Sequence, residues 1–515
     1  MRQRPLPQSH LMCEAAKGMT DQSPLLELDN RFARELEGLY VPWRPLAAPA
    51  PRWLQFNAPL AEQLGLDCAR LKGDEGLAIL SGRVVPEGAQ PVAQAYAGHQ
   101  FGGFSPQLGD GRALLLGEIR DREGRLRDVA FKGSGPTPFS RGGDGKAAIG
   151  PVLREFLIAE AMHSLGIPTT RALAALATGE TIYRERPVAG ALLVRIAASH
   201  VRVGTFEFLA VRRDRAGLKR LADHVIARHY PAAFDSPHPA LALLIAVVER
   251  QAELLARWMA VGFIHGVMNT DNMTLSGETI DYGPCAFIEA HDPGTVYSSI
   301  DRRGRYAFGR QPGIAQWNLA RLAEALVPLI DETPERALAL ASEAVNAFPE
   351  CYQRYRLAVM CPKLGLDGTG NAAEDRALID DYLALLQRDR VDHTLGFRLL
   401  SGVLRGDVQP LLDRFADGRS ALAEWLDRWR ARLQRDGRSF ESIATGLDAV
   451  NPVVIARNHR VEEVLVAAAE RDDLQPFESL LAAVRRPFDA SLAGTVWAEP
   501  AHPEQAAEHR TFCGT

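Results

Sequence analysis

Between residues 263 and 283 the chain concentrates side chains suited to a hard cation and to proton transfer. The run is Phe263-Ile264-His265-Gly266-Val267-Met268-Asn269-Thr270-Asp271-Asn272, followed after a short stretch by Ile280-Asp281-Tyr282-Gly283. An amide oxygen from Asn272 and a carboxylate from Asp281 are donors that Mg²⁺ accepts. Mn²⁺ takes the same donor types, so the sequence does not choose between the two. Asp271 is then left to orient or deprotonate an attacking hydroxyl. Far upstream, Lys132 closes the run Val129-Ala130-Phe131-Lys132. Period-two alternation sets Ala130 and Lys132 on one strand face. A lysine there, just ahead of a glycine-rich loop, can pair with phosphates, and Glu155 on the following helix can hold it as an ion pair. The alternative is a strand-end lysine reaching for solvent.

Three further groups point toward phosphate. Gly109-Asp110-Gly111-Arg112 stands at the mouth of an expected strand, where glycine lets backbone N–H groups approach phosphate oxygens. By itself it reads more readily as a turn. The loop Arg141-Gly142-Gly143-Asp144-Gly145-Lys146 suits a flap over phosphates or a plain surface loop. Arg195 lies inside the apolar run Leu192-Leu193-Val194-Arg195-Ile196. A guanidinium there needs a buried anion, either a phosphate or a structural carboxylate. Arg202 follows at the expected junction between lobes.

The elements that must position these groups follow from periodicity and turn residues. Strands are expected over 112–119 and 128–132, joined by the turn Asp121-Arg122-Glu123-Gly124. Pro151 suits a helix start, and a helix over 152–165 is stopped by Gly166 and Pro168. Two more strands are expected over 171–176 and 191–196. From about Thr205 the pattern turns helical, with a strong helix over 239–261 and a series of amphipathic helices over 316–485. The tail from Ser491 reads as loosely ordered. The expected class is α+β. A mixed sheet-and-helix lobe over 28–204 precedes a larger helical lobe over 205–490, with a ligand cleft between them. An extension over 1–27 and a tail over 491–515 flank the lobes.

Composition narrows the partners. With 515 residues, 46% hydrophobic and 24% charged, the chain has ordinary globular composition. A formal net charge of -5 argues against nucleic acid or an anionic membrane as the main partner. No run reaches the roughly 18 apolar residues of a spanning helix. The first 22 residues carry Arg2 and Arg4 without an apolar core, unlike a secretory signal, and Met19 is an alternative start. Cys13, Cys68, Cys285, Cys351, Cys361 and Cys513 form no Cys-x-x-Cys pair, which argues against a zinc site or a disulfide framework. A cytoplasmic monomer is expected.

The 265–283 segment resembles a protein-kinase catalytic loop followed by its Asp-Phe-Gly motif. His265 and Asn272 take the places of the kinase His and metal-binding Asn, and Asp281-Tyr282-Gly283 that of Asp-Phe-Gly. Lys132 and Glu155 look like the strand Lys and helix Glu. Val267 stands where a kinase has its catalytic Asp, and Asn269 where it has the loop Lys. That departure argues against ordinary phosphoryl transfer. Further motifs occur in one order: Gln94-Ala95-Tyr96-Ala97-Gly98-His99-Gln100-Phe101-Gly102, Leu108-Gly109-Asp110-Gly111-Arg112, Phe131-Lys132-Gly133-Ser134-Gly135, Gly143-Asp144-Gly145 and Asp281-Tyr282-Gly283-Pro284. With them the chain, from about Leu28 on, resembles the selenoprotein O family, whose bacterial members are protein adenylyltransferases.

The resemblance implies a bilobal protein-kinase-like (pseudokinase) fold. The implied reaction moves AMP from ATP to Ser, Thr or Tyr hydroxyls of proteins and releases pyrophosphate. Gly109, Gly111, Arg112 and Lys132 would contact ATP. Asp144, Gly145, Arg195 and Arg202 would hold it reversed relative to kinases, with the α-phosphate facing the acceptor. Asn272 and Asp281 would bind Mg²⁺ or Mn²⁺, Asp281 also meeting the nucleotide, and Asp271 would accept the proton. Cysteine at 513, in Phe512-Cys513-Gly514-Thr515, stands where other members carry selenocysteine, and a Cys285–Cys513 disulfide would tie the tail over the loop after Asp281. Two other readings are a conventional kinase on a small molecule or protein, which Val267 disfavours, and an ATP-binding scaffold, which the retained Lys132, Asn272 and Asp281 disfavour.

Overall fold

The apolar runs that alternate with glycine turns in the first 200 residues pair into one antiparallel sheet. The computed structural model describes residues 24–368, 370–415 and 417–512. Its strands are β1 (Tyr40–Pro42), β2 (Arg52–Phe56), β3 (Val92–Gln94), β4 (Gly98–Gln100), β5 (Gly103–Ser105), β6 (Ala113–Arg120), β7 (Leu126–Lys132), β8 (Ala147–Ala148), β9 (Arg171–Tyr183), β10 (Pro187–Ala197), β11 (Phe263–Ile264) and β12 (Ala286–Phe287). The main sheet runs β1-β3-β6-β7-β10-β9-β2, with β8 paired to β10, while β4-β5 and β11-β12 form separate two-stranded ribbons. In its centre Ala130 faces Arg195 and Lys132 faces both Ala113 and Leu193. The two cations therefore leave the same face of neighbouring strands, two residues apart in register.

Strand β9 is longer than the expected 171–176. Gly179 and Glu180 break its apolar pattern, and the ladder absorbs them at a register shift opposite Ala189 and Ala191 before continuing to Tyr183. The other expected strands begin or end within a few residues of their places.

Behind the sheet lies α1 (Ile149–Ser164), which packs on β9 and β10. The helices that follow include α2 (Val203–Val211), α3 (Pro239–Ala260), α4 (Gln311–Ile330), α5 (Asn458–Arg471), α6 (Gln475–Val484) and α7 (Pro503–Glu508). Helix α1 is buried almost all round, charged Arg154, Glu155 and Glu160 included. A helix buried on every side needs cover on every side. The sheet supplies one side, and α5 and α6, returning from three hundred residues away, supply another. Arg154 pairs with Glu462 at 2.8 Å and Arg485 with Glu160 at 2.9 Å across that contact. One hydrophobic core accordingly runs from Leu25 to Ala498, across residue 204, and already includes Leu25 and Leu26 ahead of residue 28. A second core gathers Ala260 and residues from Met360 to Leu447, where Tyr382 stacks on Trp425 at 4.3 Å. Such stacking adds about 0.5–1.5 kcal/mol beyond the area buried.

The tail departs from the loose order expected of it. After α7, Thr511 pairs with Ser298, accepts from Ser299 N at 3.0 Å, and donates its hydroxyl to Pro284 O at 2.7 Å. A backbone lacking apolar periodicity is held here by satisfying the polar groups of the segment that follows Asp281.

Candidate active site

The irregular segment after α3 owes its shape to buried hydrogen bonds. His265 is fully buried, donates from Nε2 to Ile280 O at 2.9 Å, and accepts from Val267 N at its Nδ1 (3.4 Å). Only the neutral Nε2–H tautomer makes both contacts, and burial lowers the ring's pKa accordingly. One imidazole thus ties the stretch carrying Asp271 and Asn272 to the stretch carrying Asp281. Thr270–Asn272 forms a single 3₁₀ turn, and Asn272 Nδ2 donates back to Val267 O at 2.9 Å. That bond leaves Asn272 Oδ1 available to a cation.

Lys132, Glu155, Arg195 and Asp281 form one buried network. Lys132 Nζ donates to Glu155 Oε2 at 2.5 Å and to Asp281 Oδ1 at 2.6 Å. Arg195 donates from Nε to Glu155 Oε1 at 2.8 Å and from Nη2 to Asp281 Oδ1 at 2.6 Å. The carboxylates of Glu155 and Asp281 supply the anion that Arg195 requires. Two cations face two anions, and the group is neutral. Burial pushes both carboxyls upward, but Arg195 and Lys132 hold Glu155 below its ordinary value, and Lys132, Arg195 and Arg202 hold Asp281 well below it. Asp281 takes a left-handed φ of 64° and keeps 27% of its side chain open to the cleft. A non-glycine residue held there costs energy that the four-membered network offsets.

Asp271 sits differently. It is 8% exposed, and burial, partly opposed by Arg202, pushes its carboxyl up to about 6. Its Oδ1 is buried without a hydrogen-bond partner, and its Oδ2 accepts from Gln100 Nε2 at 3.3 Å. Arg202, at the N-cap of α2, donates to His200 O at 3.0 Å and to Asp271 O at 3.3 Å, with its guanidinium 4.3 Å from the Tyr96 ring centre.

Lys132, Arg195, Arg202, Asp271, Asn272 and Asp281 line one cleft of about 790 Å³, together with Gly109, Gly111, Arg112, Asp144, Gly145 and Val267. The volume suits a nucleotide-sized ligand. Gly109 has φ 126°, and a Cβ on it would lie 2.5 Å from the Phe139 ring; at Gly145 (φ 64°) a Cβ would lie 2.1 Å from Gly135 O. Neither position has room for a side chain. Asp144 faces Arg184 with contacts of 2.8 and 3.1 Å, which fastens the 141–146 loop to the β9–β10 turn. Arg184 and Tyr96 also line the cleft and were missed in the sequence. Arg184 sits in an ordinary charged turn, and only its pairing with Asp144 marks it. Among the described residues no group of three or more His, Cys, Asp or Glu converges as a cation site. Asn272 and Asp281 alone would leave most of a cation's shell to phosphate oxygens and water, the pattern Mg²⁺ favours. Cys285 is fully buried, with its thiol pushed up to about 12 by burial. The Cys285–Cys513 pairing lies outside the described residues.

Comparison with known proteins agrees in one direction. The profile of the family described as Protein adenylyltransferase SelO matches residues 25–485. The chain is 58% identical over 492 residues to a "Protein nucleotidyltransferase YdiU" of Cereibacter sphaeroides (strain ATCC 17029 / ATH 2.4.9), covering 95% of this chain and 99% of that one. It is 56% identical over 479 residues to a protein of the same name from Chromobacterium violaceum, covering 92% and 99%. A Mycobacterium sp. (strain KMS) protein, again of that name, is 55% identical over 490 residues, covering 95% and 99%.

Proposed function

The chain belongs to the SelO family of protein adenylyltransferases and is a nucleotidyltransferase that uses ATP on protein substrates; on that premise we propose how its cleft carries out the transfer. The fold is read as protein-kinase-like, with 28–204 as the nucleotide-binding lobe and 205–490 as the helical one. The Lys132–Glu155 pair beneath a glycine-rich loop supports that reading. Gly109, Gly111, Arg112 and Lys132 contact the triphosphate. Gly145, Arg195, Arg202 and Asp144, the last acting through Arg184, hold the nucleotide with its α-phosphate toward Asp271. Asn272 and Asp281 hold Mg²⁺ or Mn²⁺. When bound, the cation neutralises charge on the phosphates and orients them.

Asp271 takes the proton of a Ser, Thr or Tyr hydroxyl as that oxygen bonds to the α-phosphorus. The bond from the α-phosphorus to the bridging oxygen breaks, and pyrophosphate leaves with the electron pair. Lys132 and Arg195 face the negative charge that develops. The observation that carries this reading is the convergence of Lys132, Arg195, Asn272, Asp281 and a partly desolvated Asp271 on one cleft, with Val267 at its wall. Use of ATP supports a cytoplasmic setting, and among the described residues no helix is long and apolar enough to cross a membrane.

Parallel incubations with ATP labelled at the α- or the γ-phosphate test it. Label on protein from α-labelled ATP alone is expected. Label from γ-labelled ATP alone would overturn the reversed nucleotide.

A further inference from the structure

The β4–β5 hairpin stands outside the main sheet. Gly98 pairs with Ser105, His99 with Phe104 and Gln100 with Gly103, and no third strand joins them among the described residues. A lone two-stranded hairpin is marginal in water, so its conformation must be fixed from elsewhere. What fixes it is α2 on one side and the Thr270–Asn272 turn on the other.

The contacts with that turn are consecutive. His99 N donates to Thr270 Oγ1 at 2.7 Å, Gln100 Nε2 to Asp271 Oδ2 at 3.3 Å, and Phe101 N to Asn269 Oδ1 at 3.1 Å. Three successive hairpin residues thus grip three successive residues of the loop. Glu207 on α2 closes the arrangement, with Oε1 2.5 Å from His99 Nδ1 and Oε2 accepting from Thr270 Oγ1 at 2.5 Å. Tyr306 OH adds a second donor to Asn269 Oδ1 at 2.7 Å. Gly98 leaves the room the carboxylate occupies, because a Cβ there would stand 2.8 Å from Asp271 Oδ1. The Gln100 amide thus holds one oxygen of the Asp271 carboxylate, and the other, without a hydrogen-bond partner, occupies room that only glycine at 98 leaves.

We propose that the 98–105 hairpin is a positioning element for the AMP-transfer step, in which Gln100 and the space at Gly98 set the orientation of the Asp271 carboxylate toward the acceptor hydroxyl. Gln100 is a positioning residue acting through Asp271, and the inference rests on the reading of Asp271 as the proton acceptor. A carboxylate anchored by one oxygen in a space that fits it meets the hydroxyl with little reorganisation, and the loss of that anchoring falls on turnover and spares nucleotide binding.

The test is steady-state AMP transfer to a generic protein acceptor by the full chain carrying Gln100→Met, which keeps bulk and removes the donor. A drop in kcat of roughly tenfold or more is expected, with KM for ATP and the Kd of a non-hydrolysable ATP analogue within about twofold of the parent. Gly98→Ala, which crowds Oδ1, should give the same split. An unchanged kcat in Gln100→Met, or a fall in analogue affinity and melting temperature that parallels kcat, would overturn the proposal. Asp271→Asn measured alongside separates the two readings. If it keeps parental kcat, the assignment of Asp271 as acceptor fails. If it loses turnover while Gln100→Met does not, the positioning inference alone fails.

Discussion

Replacing Glu155 by Gln tests whether the Lys132–Glu155–Arg195–Asp281 network is what sets the cleft. Glu155 is 4% exposed and accepts from Lys132 on one oxygen and from Arg195 on the other. In the Gln variant the shape survives, but an amide N–H must face one of the two cations, and the buried group carries a net charge of +1. Removing one partner of a buried ion pair costs about 3–5 kcal/mol. Asp281 still contacts both cations, so the lower end, about 3 kcal/mol, is expected. For a chain of this length that corresponds to a fall in melting temperature of roughly 3 °C. ATP changes the outcome in a specific way. Its triphosphate brings the negative charge that the variant lacks, so the analogue's Kd should hold or tighten even as the free protein loses stability. Turnover should fall by roughly 10²-fold, because Lys132 is no longer pinned. Thermal melts with and without the analogue, calorimetric affinity and labelled-AMP transfer read all three quantities. A melting temperature equal to the parent's, or affinity lost in proportion to turnover, would refute the charge-balance argument.

Two other expectations follow. Asp271 must be unprotonated to accept a proton, and its carboxyl is pushed up to about 6 in the free protein, so kcat/KM for transfer should fall as pH drops through about 6. Glu155 and Asp281, both held below their ordinary values, stay ionised there, so the limb should have the slope of a single proton; a slope of two, or a limb near pH 4, would contradict the assignment. With only Asn272 and Asp281 offered to the cation, Asp281→Ala or a chelator should abolish transfer, and Mg²⁺ or Mn²⁺ should restore the chelated parent but not the variant. Transfer persisting in chelator would remove the cation from the reaction.

The parts of the site that could be read in the sequence are those whose partners lie close along the chain or on a periodic element. Asn272 and Asp281 stand nine residues apart on one loop, and Lys132 and Glu155 are joined by a strand, a glycine-rich loop and a helix whose pattern places both inward. Partner choice over longer distances was not legible. The burial of Arg195 demanded an anion, but nothing local distinguished Glu155 and Asp281 from a phosphate. Arg184 reads as one charge in a turn until the 141–146 loop is folded against it. Glu207 lies in the apolar run Val203–Val211, with no local sign that it faces His99. The return of α5 and α6 onto α1 spans three hundred residues, and the Thr511 strap depends on backbone groups, which carry no sequence signature.

The network's neutrality bears on how the enzyme begins its reaction. Asp281 Oδ1 accepts from both Lys132 and Arg195. An oxygen accepting from two cations is a poor donor to a third, so Lys132 and Arg195 compete with the cation that Asp281 would hold. A bound triphosphate would resolve the competition by offering Lys132 and Arg195 new oxygens, leaving Asp281, with Asn272, to hold the cation. Cation binding should therefore be weak without nucleotide and tight with it, a reciprocal coupling between two ligands of one cleft. Titrating Mn²⁺ into the free protein and into its complex with the ATP analogue measures that coupling directly. Equal affinities in the two titrations would mean that the salt-bridge network does not restrain Asp281, and the charge argument for Glu155 would fall with it.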